Sequence, residues 1–462
     1  MILLEVLAPG RSMSSVAQSI AAARPSCAQD PPIIPANVLR HRVYNISTQP
    51  DLRVIWRRRF RAFEAEAPNS AVPAARLCRV LSRQQWPFCR SIQTGGRGSA
   101  PRQHNTLMLV SMPCAYTDAG ANFRGALYDS RRVLNAQHRS ATPRFAHVGT
   151  VRRYDVAAVG LTPYGHLADA HFYASTAAWV LTLLHVLPES VPILVATSSK
   201  LSTLYKRLAI PPDRLHTLPP RGAAYANMLL SLVTEPFGAL EPLGGSELRR
   251  VRSRLLPPPL PRPDERRRVV VLSRDDQAPR RNLRNQAALL RALNAALKRL
   301  PASATMGSSQ PYVIDVYQGG RRLASSRDGG GRSLATVGGN GAAARRGGEG
   351  SSFEMRLSEA AALFSRAALL TGPHGGAFLN LIYCAPGTPI VEIGYTSSQP
   401  MAYPSYYHTM ARRLGLPFWV VLGSGAYDRP ITAPVSELVE LVASLLSTNR
   451  NSDSQGSQVD LV

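Results

Sequence analysis

The pattern that most constrains this chain is an alternation of short apolar runs with helical stretches, sustained from residue 269 to residue 446. Strand-like runs fall at 269–272, 312–317, 367–371, 389–393 and 418–422, and helix-like stretches at 287–299, 354–366, 377–384, 406–414 and 435–446. Runs such as Val269-Val-Val-Leu272 are apolar throughout, as strands buried on both faces must be. Parallel neighbours need a crossover between them, so repeated strand–helix units imply a parallel sheet covered by helices. The stretch from 106 to about 235 alternates in the same way, with strands expected at 107–110, 155–159 and 191–195. Its clearest helix is 174–187, where Trp179, Leu183 and Val186 recur on one face.

Pro257-Pro-Pro-Leu-Pro-Arg-Pro263 fits neither a helix nor a central strand and reads as a stiff extended connector. Residues 1–105 are rich in Pro, Arg and Ser and read as a loosely structured lead-in with a few short elements. The expected division is therefore a lead-in, an α/β domain at 106–256, a linker at 257–263 and a second α/β domain at 264–448. Gly-, Ser-, Ala- and Arg-rich 319–350 lacks large apolar side chains and reads as a disordered insertion, as does the polar tail 449–462.

Within the second domain, Gly372-Pro-His-Gly-Gly-Ala-Phe-Leu-Asn380 joins a strand to a short helix. Gly372, Gly375 and Gly376 permit a tight turn and close approach to a ligand. A turn at a helix mouth offers free amide N–H groups and the positive end of the dipole, a seat for phosphate to which His374 can add. Glu392 ends the next strand, where a carboxylate can accept from a ribose diol. Upstream, the strand at 269–272 ends in Ser273 and Arg274, followed by Arg280 and Arg281. Guanidinium groups at such a rim suit a diphosphate, since each can pair two oxygens.

These residues resemble glycosyltransferase family 61, which includes plant xylosyl- and arabinosyltransferases and animal protein O-linked N-acetylglucosaminyltransferases. The resemblance rests on Gly372 to Asn380, Pro386-Gly387 and Glu392, with the small residues Gly376 and Ala377 permuted and Phe378 standing for a leucine. It implies a GT-B architecture, two Rossmann-like domains facing across a cleft, with the acceptor side at 106–256 and the nucleotide-sugar side at 264–448. It further implies inverting transfer of a xylose, arabinose or N-acetylglucosamine type sugar from a UDP-sugar to a glycan or glycoprotein hydroxyl in the Golgi or secretory lumen. The donor would be held by Ser273, Arg274, Arg281, Gly372, His374, Gly375, Gly376, Asn380 and Glu392. The general base would be Asp169 or His166, in a segment that matches the family's N-x-x-H-x-x-x-D/E only partly, with Thr162 or Pro163 in place of Asn. His171 competes for that role, and a non-catalytic nucleotide-sugar- or glycan-binding homologue is the alternative. No D-x-D occurs, so no metal or other cofactor is expected.

A net charge of +25 raises the question of nucleic acid, but the basic residues are dispersed and almost all are arginine. The runs at 57–59 and 266–268 read as solvated loops, which argues against a nucleic-acid partner. Five cysteines without C-x-x-C spacing indicate neither a zinc site nor a disulfide framework, although Cys78 and Cys89 can pair in an oxidising lumen. No apolar run is long enough to span a bilayer.

Overall fold

A computed structural model describes residues 13–22, 27, 42–43, 52–61, 69–70, 78, 89, 104–119, 127–128, 133–134, 151–162, 172–196, 199–219, 222–235, 245–256, 259–274, 281–300, 311–318, 321–325, 349–396 and 406–448. The chain divides into two units: Met1–Ala62 with Arg102–Arg254, and Phe63–Pro101 with Leu255–Val462. Residues 63–101, read from sequence as lead-in to the first domain, thus belong to the second unit.

The first unit contains α1 (Met13–Ala22), β1 (Arg42–Val43), β2 (Arg53–Arg61), β3 (His104–Asp118), β4 (Leu127–Tyr128), β5 (Val133–Leu134), β6 (Val151–Val159), α2 (Ala178–Val186), β7 (Ile193–Ala196), α3 (Ser199–Arg207), β8 (Leu215–Leu218), β9 (Ala223–Glu235) and α4 (Gly245–Leu255). Its sheet is mixed. Strands β9, β6, β7 and β8 are parallel neighbours in that order. Beyond β9 the pairing turns antiparallel, first to β3 and then to β2 and β4. The lead-in thus supplies β2, a nine-residue strand of the sheet, and its arginine run is strand rather than loop. Helix α2 is also more buried than its periodicity suggests. Ala178, Trp179, Val180, Leu181, Thr182, Leu183 and Val186 are all covered, and the Thr182 hydroxyl donates to the Ala178 carbonyl. A helix this apolar all round belongs inside a core, not on its surface.

The second unit contains β10 (Arg268–Ser273), α5 (Gln286–Arg299), β11 (Val313–Gln318), β12 (Arg321–Ser325), α6 (Glu349–Ser365), β13 (Ala367–Pro373), β14 (Ile390–Tyr395), α7 (Tyr406–Arg413), β15 (Phe418–Gly423) and α8 (Val435–Thr448). The strand order is β12-β11-β10-β13-β14-β15, parallel except for the β11–β12 pair. The order reverses at β10. Right-handed crossovers then put α5 on one face and α6 and α7 on the other. The packing agrees: α5 meets α8, and α6 meets the segment between β13 and β14. Residues 321–325 correct the expectation of a wholly disordered 319–350, because they pair with β11 and cover its outer edge. Of the proline connector, residues 259–263 are described. Arg262 is extended, and Pro263–Glu265 form a 3-10 turn.

Two disulfides are present: Cys78–Cys89, the pair whose closure the sequence left open, and Cys27–Cys114, which its spacing did not indicate; Cys384 is free and buried. Sequence spacing missed Cys27–Cys114 because its partners stand 87 residues apart and meet only through the fold. Among the described residues no helix is long and apolar enough to cross a membrane.

Candidate functional site: an arginine pair at the strand-order reversal

In open parallel sheets, ligands settle outside the carboxyl ends of the strands, where the strand order reverses. Here that point lies between β10 and β13. The sequence delivers Ser273 and Arg274 to one side of it and the glycine turn at 372–376 to the other, so the two stretches singled out from sequence do meet.

They meet through Arg274. A side chain at Gly375 would begin 2.7 Å from Arg274 Nη1, so this guanidinium rests against the bare backbone of the turn. Its Nη1 is buried and has no hydrogen-bond partner among the described residues. Arg281 adds a second positive charge nearby, and its buried Nε is likewise without a partner among the described residues. The Arg281 guanidinium carbon stands 4.1 Å from the ring centre of Tyr427, while its backbone, at φ 61°, donates to the Arg429 carbonyl. Burial first, and then the charge of Arg281, pulls the Arg274 guanidinium below its usual range; Tyr407 and Tyr427 oppose that shift. Two adjacent cations with unspent buried donors form a local electrostatic excess that an oxyanion would relieve.

The remaining expected donor residues take other parts. Gly372 touches no open space: a side chain there would begin 2.5 Å from Leu272 Cβ, so this glycine lets β13 lie against β10. Gly376 is exposed and unobstructed. His374 does not stand at the mouth of the turn. It is 4% exposed, its amide donates to the Ile393 carbonyl, and its Nδ1 lies 2.6 Å from Glu392 Oε1. Glu392 is 0% exposed, so it is not a rim acceptor for a ribose; its carboxylate accepts from His374 Nδ1–H and fixes the ring beneath the turn. Ser273 donates to Gln286 Oε1 at 2.8 Å and ties β10 to α5. The Asn380 side chain donates to the Ala377 carbonyl within its own turn.

The expected helix after the glycines is a 3-10 segment, Gly376–Tyr383. Eight residues advance about 16 Å in this form against about 12 Å in an α-helix, which lets so short a crossover reach the start of β14. The Phe378 amide is spent on the Gly375 carbonyl, so the turn offers fewer free N–H groups than an α-helix mouth would. The arginines therefore carry more of the positive potential than the sequence suggests.

Sequence reasoning missed three tyrosines. Tyr407 packs against His374 with ring centres 5.1 Å apart, Tyr395 against His374 at 5.9 Å, and Tyr427 against Tyr395 at 6.4 Å. Burial pushes the Tyr407 and Tyr395 hydroxyls well above the usual range, so both are neutral donors at neutral pH. The signal for Tyr395 and Tyr407 was the density of tyrosine just after Glu392, at positions 395, 403, 406 and 407, whereas Tyr427 stands apart from that cluster.

Asp169, His166 and His171 lie outside the described residues. The strand leading to them, β6, ends at Val159 and continues through the buried Thr162, whose hydroxyl is hydrogen-bonded to that of Thr176. Among the described residues no cluster of three or more His, Cys, Asp or Glu side chains is arranged to hold a metal. No protein-family model matches the chain, and no curated protein matches it.

Proposed function

We infer that the chain is an inverting, UDP-sugar-dependent glycosyltransferase of the GT-B kind, with its second unit as the donor side. The observation that carries this reading is the pair Arg274 and Arg281, two guanidinium groups with unspent buried donors beside a glycine turn at the strand-order reversal. A nucleoside diphosphate supplies the oxyanion such a pair lacks, and each planar guanidinium can hold two of its oxygens. Charge on the diphosphate grows as the glycosidic bond breaks, so donors fixed in advance stabilise the leaving group more than the bound donor sugar. Tyr427 keeps the Arg281 plane oriented, and the His374–Glu392 pair keeps the turn in register with β14. In this reading Asp169 or His166, in the segment after β6, takes the acceptor proton. The two disulfides are in keeping with an oxidising secretory lumen.

The test is to titrate the protein with UDP and to follow UDP release from a panel of nucleotide sugars. Arg274→Gln and Arg281→Gln should each weaken UDP binding by roughly tenfold or more, the loss of one hydrogen bond to a charged group. A parent protein that does not bind UDP refutes the reading. Binding without turnover on any donor and acceptor would favour the non-catalytic nucleotide-sugar-binding alternative.

A further inference from the structure

Arg274 is the first residue beyond β10, whose ladder with β11 ends at the pair Ser273 and Gln318. Its carbonyl therefore lies past the last paired residues, and whatever fixes that peptide decides where the guanidinium stands. The backbone of β11 does not supply the next rung. It ends at Gln318, and the chain returns as the antiparallel β12 with Arg321 already opposite Gln318.

A side chain supplies the rung instead. Gln318 Nε2–H donates to the Arg274 carbonyl at 3.1 Å. Ser273 Oγ also stands 3.4 Å from that carbonyl, but a hydroxyl has one proton to give, and this one goes to Gln286 Oε1 at 2.8 Å. Gln318 is thus the donor that holds the peptide. Arg274 is gripped from both neighbouring strands: its guanidinium rests against bare Gly375 after β13, and its carbonyl is tied to the end of β11.

The residue type fits the task. A glutamate at this position would have no proton to donate at neutral pH and would bring a carboxylate toward the two arginines, partly neutralising them. Glutamine donates and carries no charge, so the buried donors of Arg274 and Arg281 stay unspent.

We propose that Gln318 is a positioning residue of the donor site: its amide extends the β10–β11 ladder by one rung and so sets Arg274 where its free Nη1 meets a diphosphate oxygen. The inference rests on the nucleotide-sugar reading and adds β11 to the strands that build that site. A site made of donors fixed in advance is sensitive to misplacement, and errors of about 1 Å in a supporting residue are felt at the ligand.

The experiment titrates UDP into four forms of the full chain: the parent, Gln318→Met, Arg274→Gln and the double variant, with the thermal midpoint followed for each. Methionine is similar in length to glutamine and offers no donor. Gln318→Met should weaken UDP binding roughly threefold to tenfold, the worth of one neutral hydrogen bond, and lower the thermal midpoint by no more than a few degrees. In the Arg274→Gln background the same change should leave UDP affinity where it was, because the group it positions is gone. Gln318→Glu keeps the size, loses the donor and adds negative charge beside the pair, so it should weaken UDP binding further than Gln318→Met. Equal UDP affinity in the parent and either single variant at 318 overturns the inference while leaving the donor-site reading standing. So does an undiminished loss in the Arg274→Gln background, the mark of an effect that does not pass through Arg274. A parent that binds no UDP overturns both.

Discussion

Gly372 and Gly375 stand three residues apart in one turn, yet alanine at each should have opposite consequences. At Gly372 the backbone has φ 157°, and a Cβ would meet Leu272 Cβ at 2.5 Å and the Leu272 carbonyl oxygen at 2.8 Å. Both obstacles sit on β10, a central strand fixed on either side by β11 and β13. Backbone strain of about 1–3 kcal/mol and overpacking of about 1–3 kcal/mol together give roughly 2–6 kcal/mol of destabilisation. In a unit of this size that lowers the thermal midpoint by roughly 10 °C. At Gly375 the backbone is extended, and the new methyl would meet only Arg274 Nη1, the far end of a flexible side chain. Gly375→Ala should therefore cost less than about 0.5 kcal/mol in stability while pushing the guanidinium off its seat. UDP affinity should then fall about tenfold to a hundredfold, the loss of a charged hydrogen bond. Gly376→Ala, with nothing near it, is the internal control and should change neither quantity. Scanning calorimetry and UDP titration on the three variants decide the matter. Equal thermal losses at 372 and 375, or undiminished UDP binding by Gly375→Ala, would refute the account of the turn.

Three further outcomes are open to measurement. Burial, and then the charge of Arg412, lowers the His408 pKa from 6.5 to about 3, so the unfolded chain takes up this proton first as pH falls. Stability should be full above pH 6.5 and drop by about 2 kcal/mol by pH 5 through this residue; His408→Leu should flatten that part of the profile in acid-dependent urea unfolding. Deleting 319–350 removes β12 and bares the β11 edge, so the variant should melt lower and self-associate, whereas a cut that spares Arg321–Ser325 should not; identical melting of the two would count against β12. Reduction of Cys27–Cys114 frees a loop of 87 residues and should lower the unfolding free energy of the first unit by an amount on the order of 4 kcal/mol, measured by denaturant titration with and without reductant.

The second unit was legible because its signal is local. A strand buried on both faces must be apolar throughout, and Val269 to Leu272 and Ala367 to Leu370 announce themselves without knowledge of their neighbours. The meeting of Arg274 with Gly375 followed from the same alternation, since consecutive parallel strands bring their carboxyl ends to one side. What was missed is non-local. Nothing in the spacing of Cys27 and Cys114 marks them as partners, and nothing in the order of the chain says that β3 pairs antiparallel with β9 more than a hundred residues later. Glu392 was misread as a rim carboxylate for a related reason: its pairing with His374 depends on the register of β13 against β14, which periodicity leaves undetermined.

The second unit is assembled from two separate stretches, and this has a consequence in time. Asn69 bonds to the outer edge of β15, its amide donating to the Phe418 carbonyl and its carbonyl accepting from the Val420 amide. During synthesis the stretch around Asn69 leaves the ribosome roughly 350 residues before its partner strand, about 20–70 s at usual rates of elongation. Through that interval it has no sheet to join. A chain begun at Leu255 would carry every strand of the second sheet and still leave β15 with a bare edge, ready to pair with another copy of itself. Dividing this protein into halves at the proline connector therefore severs a partnership that translation itself must wait to complete.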